Sequence, residues 1–167
     1  MKKDLTSKDA LEKYKKIAEE VNICMMITSP DSDESSRPMA TIRVDDDGTT
    51  WFYTHKSSAK ISELNHEKAV HLVYAHPGKD SYMDVWASGE IVEDRGKIRE
   101  LWKPIIKAWF PNGVDDPDLC LLKINPSSAY YWDSETGKMI EFGKMIASVV
   151  TGKRLAEGVE GNLNVDA

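Results

Sequence analysis

Apolar residues recur with two different periods along this chain, and each change of period marks an element. Leu11, Tyr14, Ile17, Ala18 and Val21 fall at helical spacing behind Thr6 and Ser7, which are acceptable caps. The pattern predicts a first helix that lays one apolar stripe on the body. A strand is expected at Ile23 to Thr28, then a polar loop, SPDSDESS, leading to Arg37-Pro38. Met39 to Val44 and Thr50 to Thr54 are rich in β-formers, and Asp45-Asp46-Asp47-Gly48 between them supplies the residues of a tight reversal, so the two runs read as a hairpin. A short helix toward Asn65 comes next. Ala69 to Ala75 and Tyr82 to Glu93 read as further strands around the turn at His76 to Asp80. Asp94 is placed to cap a helix in which Ile98, Leu101, Trp102, Ile105, Ile106 and Trp109 share one face. Pro104 must kink that helix or split it in two. Strands at Leu119 to Ile124 and Ala129 to Trp132 complete the set. From Thr136 on the pattern weakens: Met145 to Val150 fits either a short helix or an apolar packing segment, and the last residues read as mobile.

About six or seven antiparallel strands with few helices make a mainly β fold with flanking helices, an α+β class built on a small barrel or strongly curved sheet. A chain of 167 residues with 41% hydrophobic content suits one domain, with a core over about 10–135 and a C-terminal extension over 136–167. The formal charge of −6 argues against a general nucleic-acid binder. No apolar run approaches the roughly 20 residues that span a bilayer, and MKKDLTSKDALEKYKK lacks a signal-peptide core, so no membrane association and a cytoplasmic location are expected. Cys24 and Cys120 lie in apolar runs and read as buried strand residues in a reducing compartment.

Thr54-His55-Lys56-Ser57-Ser58-Ala59-Lys60 enters the short helix. Unpaired N–H groups at a helix start attract anions, and nearby lysines neutralise the charge. Two readings stand on composition alone: a phosphate cradle, or N-capping by Ser57 or Ser58 with solvated lysines. Other signatures fail. His66 and His71 stand one residue too far apart for a zinc-protease helix, which at about 100° per residue sets the imidazoles roughly 140° apart. There is no nucleotide P-loop, dinucleotide GxGxxG or GxSxG elbow. Asp115, Asp116 and Asp118 read as an acidic surface turn, since Pro117 and the missing glutamate spoil a calcium loop; no metal site is expected.

A phosphate site beside an aromatic-bearing sheet is what a flavin mononucleotide (FMN) needs. The segment from Arg37-Pro38-Met39 through Tyr53-Thr54, the Ser58 to Lys60 helix start and Ala69 to Tyr74 resembles the pyridoxamine 5′-phosphate oxidase-like superfamily of split β-barrel flavoproteins. Trp102, Trp109-Phe110-Pro111, Asp115-Asp116-Pro117 and Tyr131-Trp132-Asp133 are similar to its general stress protein branch. That resemblance implies an FMN-binding split barrel in which Ala40, Thr41, Ile42 and Arg43 run along the flavin, with Arg43 near the phosphate. Tyr53 and Thr54 would approach from the partner strand, and Ser58 and Lys60 would hold the phosphate. Ala59 replaces a usual arginine, a loss for which Arg37 or Lys56 would compensate. Trp132 would flank the cofactor from the second subunit of a homodimer, or else fill the barrel end. Asp84 falls where oxidases offer a polar amide, and a carboxylate there disfavours an anionic reduced flavin.

The arginine and histidine-rich segment that clamps pyridoxamine phosphate is replaced here by DSETGKMIEFGKMIASVV, which argues against a true pyridoxamine phosphate oxidase. The resemblance implies a flavin-dependent oxidoreductase with an unidentified small-molecule electron donor or acceptor and no nameable catalytic acid or base. The alternatives are a non-catalytic flavin carrier or sensor and, further off, a haem-binding relative with His55 as ligand.

Overall fold

The computed structural model describes residues 5–28, 36–133 and 159–164. A short strand, β1 (Leu5–Thr6), leads into α1 (Ser7–Val21), which buries Tyr14, Ile17 and Ala18, the predicted stripe. The helix ends where Asn22 takes a φ of 66° and its N–H donates to the Ala18 carbonyl at 3.0 Å. From there β2 (Ile23–Thr28) pairs antiparallel with β3 (Ser36–Ala40) on one edge and β6 (Ala69–His76) on the other. β6 pairs with β7 (Ser81–Val92), β7 with β8 (Leu119–Asp133), the start of β8 with β5 (Thr50–His55), and β5 with β4 (Arg43–Val44). Only Thr41 and Ile42 separate β3 from β4, so the two ends of the curled sheet meet in one stretch of chain. The result is the seven-stranded antiparallel split barrel that the resemblance implies.

The predicted hairpin is therefore shorter than its apolar run. Met39 and Ala40 pair with Cys24 and Ile23 rather than with β5, and only Arg43 with Trp51 and Val44 with Thr50 form the hairpin rungs. One β-rich run serves two neighbours because the barrel closes through it. The two strands expected at the end of the sheet are one: β8 continues through Pro126, whose missing N–H falls at a bulge. Register steps there from Trp86 opposite Ser128 to Ala87 opposite Pro126, leaving Ser127 over. The Ser127 hydroxyl donates to the Trp86 carbonyl at 3.0 Å.

A further strand lies in the C-terminal extension, where the sequence pattern predicts none; residues 165–167 lie outside the described residues. β9 (Val159–Asn164) lies antiparallel to Ala129–Asp133 of β8 and parallel to β1, with Leu163 fully buried. Met145 to Val150 and the SPDSDES part of the polar loop fall outside the described residues.

Two cores flank the sheet. The inner one gathers Tyr14 and Ile17 of α1, Phe52, Leu72, Tyr74, Met83 and Leu122. The outer one packs Ile98 and Leu101 of α3 (Arg95–Leu101) and Ile106 of a 3-10 turn (Pro104–Ala108) on Trp51, Tyr53, Leu119 and Leu121. Asp94 caps α3, accepting the Lys97 N–H at 3.1 Å, and Pro104 splits the helical run in two. Because the tighter turn breaks the α-helical period, Ile105 and Trp109 leave the expected face and stand 66% and 57% exposed. Cys24 and Cys120 are buried and unpaired. Among the described residues no helix is long and apolar enough to cross a membrane.

Gly48 closes the turn between β4 and β5 at a φ of +86°, and a Cβ there would come within 2.9 Å of Leu11 Cδ2 and 3.2 Å of Pro126 Cγ. Gly48→Ala is therefore expected to cost about 1–3 kcal/mol, read as a lower urea midpoint at constant m. An unchanged midpoint would mean that the turn relaxes without disturbing α1.

Candidate functional site

Strand alternation gives β3 and β5 two chemically different sides. Outward, Pro38, Ala40, Ile42 and Tyr53 join Ile23 and Met39 to form one wall of an apolar slot of about 320 Å³. Ile106, Trp109 and Phe110 form the other wall. The Tyr53 hydroxyl donates to the Ile98 carbonyl, and burial pushes its pKa up to about 12, so the phenol is fixed and neutral. Phe110 and Trp102 press on the Tyr53 ring, with centroids at 5.9 and 5.7 Å.

The inward neighbours are polar. Arg37 follows Met26 in register and Thr54 follows Cys120, so both point toward the barrel mouth where α2 (Ala59–His66) begins. Lys60 Nζ donates to Thr54 Oγ1 at 2.8 Å, and Thr54 Oγ1 lies 3.1 Å from Ser58 Oγ. Ser58 occupies the N-cap position but makes no side-chain cap, so its hydroxyl stays with the lysine group. Arg37 Nη1 donates to the Thr28 hydroxyl, which donates to Glu63, and Arg37 Nη2 reaches Glu63 Oε2 at 3.0 Å. Lys60 makes no ion pair among the described residues. Burial, and then the positive charge of Arg37, hold its pKa below the usual 10.5.

Ala40, Ile42 and Tyr53 thus line the slot, while Arg37, Thr54, Ser58 and Lys60 form the polar group. Thr41 is buried between them, its hydroxyl 3.0 Å from that of Tyr74. Arg43 is engaged elsewhere, 2.6 Å from Asp45 and 2.7 Å from Glu100, and shares no partner with Lys60. Lys56 pairs with Glu93 at 2.9 Å. Trp132 is not in the barrel interior: it stands 41% exposed beside Tyr130 on the outer face of β8. Asp84 is bonded to His71, over which Trp86 stacks at 4.2 Å. His55 rests edge-on to Phe110, 3.9 Å from the Asp116 carboxylate. That carboxylate is held below its ordinary range chiefly by the Asp118 N–H it accepts, a turn-closing role.

Sequence reading did not place Ile23, Pro38, Ile106 or Phe110 at the slot, nor Thr28 and Glu63 in the polar group. Pro104 is the trace that the slot leaves in the sequence, since it splits the helical run and turns Trp109 out of the expected face. Glu63 leaves none, since a polar residue on a short helix carries no mark of its partner.

A family model described as pyridoxamine 5′-phosphate oxidase like matches residues 9–156. Protein bli-3 of Neurospora crassa is 25% identical over 140 residues, 77% of this chain and 67% of that protein. A crystal structure from Jannaschia sp. CCS1 named for general stress protein 26 superposes with a TM-score of 0.77 at 25% identity, over 93% of this chain and 98% of that one. The general stress FMN/FAD binding protein of Xanthomonas citri gives 0.67 at 28% identity, over 78% and 93%.

Since the native state holds the Lys60 proton more weakly than the unfolded chain, the ammonium costs stability at neutral pH. That cost fades as pH rises through the lowered pKa toward 10.5. Lys60→Met should raise the Tm of the ligand-free protein by a few degrees near neutrality, with the gain shrinking at alkaline pH. A lower Tm would show that the hydrogen bond to Thr54 outweighs the burial cost.

Proposed function

The chain belongs to the pyridoxamine 5′-phosphate oxidase-like family, and from that membership we propose that it is a general-stress-type protein that binds FMN. The observation that carries this reading is Lys60, a partly buried ammonium whose hydrogen-bond partner among the described residues is a hydroxyl, Thr54 at 2.8 Å with Ser58 behind it, at the start of a helix. The Ile61 N–H already donates to the Ser58 carbonyl, and among the described residues the Ala59 and Lys60 N–H groups have no acceptor, so a phosphate there would gain those two hydrogen bonds as well as charge. Arg37 is paired with Glu63 as Arg43 is with Asp45 and Glu100, but it is the charge of Arg37 that acts on Lys60, so the second cation is assigned to Arg37. Ala40, Ile42 and Tyr53, with Trp109 and Phe110 across from them, offer a flat apolar surface for a ring system. Bound there, a flavin would supply the electron chemistry, and the protein's part is to orient it and exclude water.

The reaction assigned is flavin-dependent oxidoreduction of an unidentified small molecule. One observation keeps a carrier or sensor role beside it. Among the described residues Tyr53 is the slot's only ionisable lining residue, and its hydroxyl is already given to Ile98, so those residues offer no ready acid or base. The free, buried Cys24 and Cys120 support a reducing compartment such as the cytoplasm.

A homodimer completes the proposal. At about 320 Å³ the slot lies at the bottom of the range of about 300–1,000 Å³ that encloses small ligands. Beside it the sheet exposes Ile23 and Met25, and further around it Trp86 and Trp132. A second copy seated on this face would deepen the slot and cover those side chains.

Titration with FMN, using riboflavin as the control without phosphate, should show saturable binding that riboflavin does not match. Lys60→Ala should cost about 1–3 kcal/mol of FMN affinity and leave riboflavin unchanged. Equal affinities for the two flavins in the wild-type protein would sink the phosphate assignment. Met25→Asp should yield monomers in sedimentation velocity with weakened FMN binding; a stable dimer would place the interface elsewhere.

A further inference from the structure

The polar group at the barrel mouth contains a carboxylate that the phosphate reading does not use. Glu63 lies one helical turn beyond Lys60, yet its oxygen Oε2 collects two donors from other strands, the Thr28 hydroxyl and Arg37 Nη2 at 3.0 Å. Arg37 Nη1 meanwhile donates to the same Thr28 hydroxyl, so guanidinium, hydroxyl and carboxylate close a ring. Thr28 is fully buried, and Arg37 and Glu63 are each about three-quarters or more buried, which fixes the ring more firmly than a surface ion pair.

Arg37 therefore already holds an anion, while Lys60 faces only hydroxyls. We propose that Glu63 is an internal competitor for the flavin phosphate: its carboxylate occupies the face of Arg37 that the phosphate requires, and binding exchanges one anion for the other. Resting on the phosphate reading above, this adds that the chain sets its own affinity below what its two cations could give. The alternative role, in which Glu63 merely orients Arg37 for the ligand, predicts the opposite sign when the carboxylate is neutralised.

The charge balance favours exchange. The charge of Arg37 disfavours that of Lys60, and Glu63 offsets only part of this. A phosphate monoester carries about −1.5 to −2 charges near pH 7. Facing both cations, it provides more compensation than one carboxylate, whereas riboflavin has nothing to offer either of them.

Glu63→Gln keeps the shape of the side chain and an acceptor for Thr28 while releasing Arg37. FMN affinity should rise about three- to tenfold with riboflavin affinity unchanged, and Arg37→Gln should then cost more in the Glu63→Gln background than in the wild type. Glu63→Ala reads the same quantity if the amide is not tolerated. Weaker FMN binding in these variants, with riboflavin unaffected, would overturn the competitor role in favour of an orienting one. Unchanged FMN affinity would also overturn it, while a loss in Lys60→Ala would leave the phosphate reading standing. No preference for FMN over riboflavin in the wild-type protein would overturn both.

Discussion

Two adjacent amides hold the barrel shut. The Thr41 N–H donates to the Asn22 carbonyl at 2.7 Å and the Ile42 N–H to the Trp51 carbonyl at 2.9 Å, so the chain leaves one edge of the sheet and joins the other within a single peptide unit. Asn22 can accept there because it has turned into the left-handed region to end α1. The first helix, β2 and the closure of the barrel thus share one residue. The slot wall follows from the same seam, because Ala40 and Ile42 stand on either side of it.

That seam also sorts the chemistry. On β3 the basic Arg37 and the apolar Pro38 are neighbours, and on β5 Thr54 and Tyr53 are; the pleat sends one of each pair toward the barrel mouth and the other toward the slot. Two strands therefore present a polar group and an apolar wall by alternation alone. What lies across from each comes from distant sequence: α2 supplies Lys60 and Glu63, and the 3-10 turn after α3 supplies Ile106 with Trp109 and Phe110 following it.

Elements that carry their own pattern were legible in the sequence. α1 has its stripe, Asp94 is a cap that caps, and Pro104 splits a helix as its ring requires. Elements defined by a neighbour were not. VEGNLN is mostly polar and holds a glycine; it is a strand because the edge of β8 is there to pair with, and Leu163 is buried in the core. Pro126 reads as a stop, yet the bulge at Ser127 absorbs it and β8 runs on. At the site, the hydroxyl- and lysine-bearing helix start with Ser58 and Lys60 was legible locally, and Ala40, Ile42 and Tyr53 are marked by family resemblance. Arg37 entered as a substitute cation, whereas its bond to Glu63 and Thr28 depends on tertiary placement that periodicity does not encode.

β8 pairs with β5, β7 and β9, and the register sets Thr50 opposite Ile124. β5 is made early, but its second partner is made late, so a growing chain carries an open, apolar strand edge through the synthesis of α2, β6, β7 and α3. Closure is a long-range event with a large loop entropy to overcome, the kind that slows folding and leaves edges available for mispairing. Trp51 and Tyr53 are also uncovered on their outer face until α3 and Leu119 arrive. A ribosome-bound chain that stops before β8 thus presents sticky surface on both the edge and the face of β5, making the interval before β8 emerges the stretch of its life in which this protein most needs a chaperone.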